Sequence, residues 1–294
     1  MTALFRRNIK MFFRDKGMFW VSLITPMILL VLYVSFLGNV YRDAFSASMP
    51  EAFAIPESVM SGLVGGQLVS SLLAVSCVTV SFCANLLMVQ DKANGTRRDL
   101  TVAPVRGSVL AAAYFAATWA SALMICLLAL GAGLAYLAAV GWFLTAADVL
   151  LLIGDVLLMT LFGTAASSVI SSFLSTQGQM SAVGSIVSST YGFVCGAYMP
   201  ISQFGEGLQK AIACLPGTYG TVLLRNHAMR GPISALAELG VPAAALDMIR
   251  DSVDCHLYFF GNRVPDASLW AVPLAAALAM TAAFVFISRK KKTS

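Results

Sequence analysis

Long apolar runs alternate along the chain with short polar segments, and the runs have the length of membrane helices. Apolar stretches occupy residues 18–40, 62–89, 109–138, 148–172, 181–199 and 268–288. A helix needs about 20 residues to cross the hydrocarbon of a bilayer, so each stretch predicts one span. Ahead of the first, residues 2–17 read TALFRRNIKMFFRDKG. Phe5, Ile9, Phe12 and Phe13 recur there at helical spacing, while Arg6, Lys10 and Arg14 fall four apart on another face, with Arg7 beside them. This pattern predicts an amphipathic helix in the headgroup region with its cations toward anionic lipid; the alternative is a plain basic flank of the first span. The first apolar run is too long for a cleavable signal peptide, and five more follow it. The predicted fold class is therefore an all-α polytopic membrane protein with six transmembrane helices. Residues 1–17 form the interfacial helix, 18–288 the six-span domain and 289–294 a basic tail.

Composition supports the pattern. Of the 294 residues, 59% are hydrophobic and 11% charged, against about 25% charged in an ordinary soluble domain; mean hydropathy is +0.81. The net charge of +5 does not point to nucleic acid, because the basic residues sit in short clusters beside apolar runs, which is an orientation signal. With the N-terminus in the cytoplasm, Arg6, Arg7, Lys10, Arg14, Lys16, Lys92, Arg97, Arg98, Arg106 and the cluster from Arg289 to Lys292 all fall inside, which is most of the 19 Lys and Arg. An even number of spans then puts both termini in the cytoplasm of a multi-pass protein of the cell membrane.

Two polar segments stand out. Residues 90–107, QDKANGTRRDLTVAPVRG, form a short cytoplasmic loop. Asn94–Gly95 permits a tight turn, Thr96 can cap a helix beginning at Arg97, and Pro104 would close that helix after about two turns. Asp91, Lys92, Arg97, Arg98 and Asp99 would then face the cytosol, able to meet a partner; the alternative is a loop that only fixes topology. Residues 200–267, on the outer side, are too apolar for a linker and predict short helices that dip into the outer leaflet or pack over the bundle, divided by prolines.

No enzyme site is legible: HExxH, GxSxG and the phosphate-binding GxxxxGK[ST] are absent. Neither His227 nor His256 has a neighbouring ligand set, so both are read as solvated or interfacial, and no metal site is expected. Asp155 is the one acid placed inside a span, either as an intramembrane functional acid or, with a later start of the span, near the outer headgroups. Gly184, Ser188, Gly192 and Gly196 recur every four residues, as do Ser181, Ser185 and Ser189, and Gly163, Ser167 and Ser171 repeat the spacing in the preceding run. Such stripes permit close helix packing, at a subunit interface, a moving contact or a static internal one. Cys77, Cys83, Cys126 and Cys195 fall in apolar runs as small hydrophobes. Cys214 and Cys255 share the outer segment, either bridged or as two free thiols.

Taken in order, four features resemble the ABC-2 type permease, the membrane subunit of an ATP-binding-cassette exporter: the amphipathic N-terminal helix, the loop NGTRRDLTVAPVRGSVL, the stretch GAYMPISQFGEGLQKAIACLPGTYGTVLLRNHAMRG, and a final span with a basic tail. The loop is similar to the family's pattern of Gly-Thr, then Leu, then a small residue and Pro, although Asp91 and Lys92 stand upstream of where members usually carry an acid. Residues 231–267 are longer than in the simplest members. The resemblance implies re-entrant outer helices after the fifth span and a coupling helix over residues 91–104 seated in an ATPase groove. It implies two ATPase subunits that bind ATP and magnesium, and a second permease subunit, identical or related. No cofactor would bind to this chain, and the substrate would be an amphiphile such as a drug, peptide, lipid or lipid-linked glycan. Two other readings remain: an ATP-independent secondary transporter using Asp155, and a non-transporting scaffold.

Overall fold

The computed structural model describes residues 1–47, 55–96, 99–100 and 106–290. α1 (Thr2–Arg14) buries Asn8 and Phe12 and leaves Arg6, Lys10 and Arg14 exposed. Asp15 then caps the next helix, its carboxylate accepting from Met18 N at 3.1 Å. α2 (Lys16–Leu32) passes through a π-helical turn at Tyr33–Leu37 into α3 (Gly38–Ala47) as one unbroken helical run. α4 (Glu57–Ala84) returns toward α1 and is buried along nearly its whole length, and α5 (Leu86–Ala93) continues it. α6 (Gly107–Val140) runs back to the far end, and α7 (Ala146–Phe173) returns again. α7 starts from a reciprocal capping box between Thr145 and Asp148, a device that satisfies two otherwise orphaned backbone donors.

Among the described residues, five helical runs are long and apolar enough to cross a membrane: Lys16–Asp43, Glu57–Ala93, Gly107–Val140, Ala146–Phe173 and Asp266–Arg289. The span expected at 181–199 corresponds to α8 (Gln177–Val194), which is not among them. Its glutamines, serines and glycines dilute its hydropathy. α8 opens on a second capping box, Thr176 with Gln179, and stops at Gly196, whose φ of +74° is a left-handed geometry that suits glycine.

The main departure from the sequence reading lies beyond that break. After a short 3-10 turn at Ile201–Gln203 and α9 (Glu206–Ala213), α10 (Pro216–Glu238) is not a short helix over the bundle. It has 23 residues, starts with proline at its first position, and lies antiparallel against α4 with α7 and α12 on its other sides. The approach to α4 is close: a Cβ on Gly66 would stand 2.8 Å from the Ala228 carbonyl oxygen. α10 carries polar residues at Arg225, Asn226, His227 and Arg230, which mask it as a bundle helix in sequence. α11 (Ala243–Ser252) and a hairpin of β1 (Tyr258–Phe259) and β2 (Asn262–Arg263) cover the far end before α12 (Asp266–Lys290) closes the bundle. The hairpin turns through Phe260 and Gly261, both at positive φ, as a two-residue connection requires.

Candidate functional site

At the α1 end, the side chains placed toward the cytosol by sequence are drawn inward. Arg7 meets Asp91 through two bonds, Nη1 to Oδ2 at 2.5 Å and Nη2 to Oδ1 at 3.1 Å, while Tyr114 Oη donates to Oδ2 at 2.6 Å. The Asp91 side chain is 6% exposed, so it is not a surface charge awaiting a partner, and Arg7 is not a lipid-facing cation. A bidentate guanidinium–carboxylate pair fixes orientation as well as distance, so α1, α5 and α6 are tied at one point. The hydrogen bond to Asp91 raises Arg7 above the usual arginine range.

Lys92 is also turned inward. Its ammonium donates to the carbonyls of Ser171, Ser172 and Leu174 at 2.6, 3.2 and 3.0 Å, closing the C-terminus of α7. Helix ends leave such carbonyls unpaired and carry partial negative charge, so a lysine is well suited there. Beyond these two anchors the chain turns at Gly95, φ +76°, as the Asn94–Gly95 pair predicted. The Gly95 carbonyl accepts from Asp99 N at 3.3 Å, so helical geometry begins at Thr96 and the cap position falls on Gly95, one residue earlier than expected. Arg97, Arg98 and Pro104, the rest of the expected coupling helix, lie outside the described residues.

A polar seam joins α4 to α7. Asn85 Nδ2 donates to Ser167, Ser168 and Ser171 hydroxyls at 3.2, 3.4 and 3.3 Å, and a Cβ on Gly163 would meet the Cys77 carbonyl at 2.9 Å. The Gly163–Ser167–Ser171 stripe is thus an internal contact. The α8 stripe is not: Ser181, Ser185 and Ser189 are exposed, and a Cβ on Gly184 would meet nothing within 4 Å. Ser188 is half-buried, and only Gly192 and Gly196 serve the local turn, Gly192 under the Tyr198 ring.

In the third turn of α7, Asp155 is fully buried and meets His227 of α10, Oδ2 to Nδ1 at 2.6 Å. This corrects one expectation: His227 is not without a partner. The capping box starts α7 at Ala146, so Asp155 stands well inside that helix. Two residues earlier on α10, Arg225 is 1% exposed. Its guanidinium donates to the Gly196 carbonyl at 2.9 Å, to Ser71 Oγ at 3.5 Å and to Asp254 Oδ2 at 3.4 Å, and the same carboxylate oxygen accepts from Ile201 N at 2.6 Å. Burial raises the Asp254 carboxyl above its usual range and Arg225 draws it partly back. Arg225 thus binds the α8 break, the segment after it and the end of α11 to α4. The one arginine in the apolar run TYGTVLLRNH is the sequence signal of this knot.

Cys214 is exposed and Cys255 buried, and both are free thiols. Several cavities lie toward the far end among the described residues, two of them larger than the third. One, of about 470 Å³, is apolar and aromatic, formed by Phe36, Tyr41 and Phe45 against Phe193 and Tyr198 at the α8 break. The other, of about 660 Å³, lies between α10, α11 and the start of α12 and is rich in cationic side chains. Among the described residues no cluster of His, Cys, Asp and Glu has the makings of a metal site.

The family model for the ABC-2 type transporter matches residues 1–228. The match takes in Arg7, Asp91, Lys92, Asp155, Arg225 and His227, while Asp254, the hairpin and α12 lie beyond it. No curated protein matches the sequence.

Proposed function

This chain belongs to the ABC-2 type transporter family and is a multi-pass membrane component of an ABC-type transporter; from that premise we propose that it is the permease subunit of an exporter driven by a separate ATPase. In this reading the α1 end faces the cytoplasm, residues 90–107 receive the ATPase, and ATP and magnesium are held by that partner. Two permease subunits, alike or related, enclose the route for an amphiphile. The observation that carries the coupling assignment is the double anchoring of the loop's first strand of chain: Asp91 is locked to α1 and α6 through Arg7 and Tyr114, and Lys92 to the end of α7. A push on the loop is therefore delivered to three helices at once rather than absorbed by a flexible tether. A change of state driven by ATP requires contacts that differ between the states, and rigid anchors are what pass such a bias inward.

The open Gly184 face of α8 supports a second subunit, and the aromatic cavity at the α8 break supports an amphiphilic cargo. The test is co-purification with an ATP-binding-cassette ATPase, with transport measured for a variant carrying Arg97→Glu and Arg98→Glu. Intact coupling in that variant would remove the loop assignment, and labelling of Arg98→Cys from outside intact cells would overturn the orientation. The buried Asp155–His227 pair favours a second reading, ATP-independent proton-coupled transport; it predicts flux without an ATPase and loss of flux in Asp155→Asn.

A further inference from the structure

The cationic cavity between α10, α11 and α12 is not used by the coupling or pathway reading. It encloses about 660 Å³, within the range of small-molecule sites. Arg230 and His227 come to it from α10, Arg250 from α11, His256 and Arg263 from the segment around the hairpin, and Asp266 is the one carboxylate in its lining. Five basic heads thus converge from successive elements of the chain. Three of them are guanidinium groups, drawn from only five Lys and Arg in residues 200–267.

Four of these heads meet acids outside the lining. Asp155 holds His227 at 2.6 Å, Asp148 meets Arg230 at 3.5 Å, Asp247 meets Arg250 at 3.2 Å and Asp251 holds His256 at 2.8 Å. A guanidinium carries five N–H donors in a fixed fork, and one such contact leaves most of them for a ligand. With Nδ1 of His227 engaged, its Nε2 is the ring nitrogen left for the cavity. The ring of Trp270 supplies an apolar wall, 6.1 Å from the His227 ring centroid.

We infer that this cavity is a binding site for a phosphate ester, whose anionic oxygens are met by Arg230, Arg250 and Arg263 and whose organic part lies against Trp270. Tetrahedral oxyanions match the arginine fork, and charge-assisted bonds of this type are the strong ones. The ester comes either from the headgroup of an anionic phospholipid at the membrane surface or from a soluble phosphorylated molecule. The inference is independent of the ATPase assignment, and its test needs no nucleotide.

The purified full chain is probed in two arms: retention of phosphatidylglycerol against phosphatidylcholine by native mass spectrometry, and titration with glycerol 3-phosphate in detergent. The variant carries Arg250→Gln and Arg263→Gln, both at half-buried or exposed surface positions, and Lys210→Gln serves as the control cation outside the cavity. The double variant is expected to weaken binding by about tenfold or more, as loss of two charge-assisted bonds predicts, while Lys210→Gln behaves as the parent. Weakening in the lipid arm alone assigns the headgroup; weakening in the glycerol 3-phosphate arm assigns the soluble ester. No binding by the parent in either arm, or binding by the double variant within about twofold of it, overturns the site. Should the double variant not purify, Arg263→Gln alone, in the exposed hairpin, gives the same decision on a smaller loss.

Discussion

The Arg225 knot offers the sharpest quantitative test. Arg225→Met removes the guanidinium from a site where it is 1% exposed. It strands the Gly196 carbonyl, which loses its 2.9 Å donor, and leaves the Asp254 carboxylate with only the backbone amides of Ile201 and Ser202. Breaking a buried pair by removing one partner costs about 3–5 kcal/mol. Asp254→Asn is milder. The Arg225–Asp254 contact is long at 3.4 Å, and an asparagine oxygen still accepts from Ile201, so the loss is about 1–3 kcal/mol. Because burial raises the Asp254 carboxyl despite Arg225, desolvation outweighs the attraction. The double variant should then be no worse than Arg225→Met alone, with a coupling of about 1 kcal/mol or more between the two positions. Equilibrium unfolding of the four proteins in mixed micelles reads these differences. An Arg225→Met protein within about 1 kcal/mol of the parent, or strict additivity of the two changes, would refute the reasoning.

Other outcomes follow from single contacts. Asp91→Asn removes the charge that orients Arg7 and should free α1 from α5, read as faster proteolysis near Arg14 and weaker coupling of ATPase to transport with the fold intact; unchanged proteolysis would show that the α6 contact alone holds α1. Gly66→Val drives a side chain into the Ala228 carbonyl and should destabilise by about 1–3 kcal/mol or shift α10, seen as lower thermal stability, whereas Gly184→Val, on an open face, should leave the isolated subunit unchanged and disturb only its association. For the thiols, burial pushes Cys255 up to about 12, so near neutral pH only about one molecule in a hundred thousand carries the thiolate. Maleimide should modify exposed Cys214 in the folded protein and reach Cys255 only after unfolding; equal rates would contradict the placement of Cys255.

The helical, membrane-spanning character of the chain was legible because length and hydropathy decide it: the runs behind α2, α4, α6, α7 and α12 are long and nearly uncharged. The N-terminal amphipathic helix was legible from its period, and the Gly95 turn from one dipeptide. α10 was not, since a helix buried by neighbouring helices can keep Arg225, His227 and Arg230, provided each finds a partner far away in sequence, and hydropathy registers the charge but not the partner. The same blindness misplaced Asp91 and Lys92. A charged residue in a short loop reads as solvent-facing, yet Asp91 finds Arg7 and Tyr114, and Lys92 finds the end of α7, by contacts that no local pattern encodes. Asp155 is legible as a costly acid, but its partner His227 reads in sequence as solvated or interfacial.

The seam around Asn85 has a mechanical implication. Three serine hydroxyls on α7, spaced within about one helical turn, stand at nearly equal distance from one amide. Sliding α4 along α7 by a fraction of a turn would trade one hydroxyl for its neighbour, so the amide never loses every acceptor at once. A contact between two such columns resists separation while offering little friction to lengthwise travel, a bearing rather than a weld.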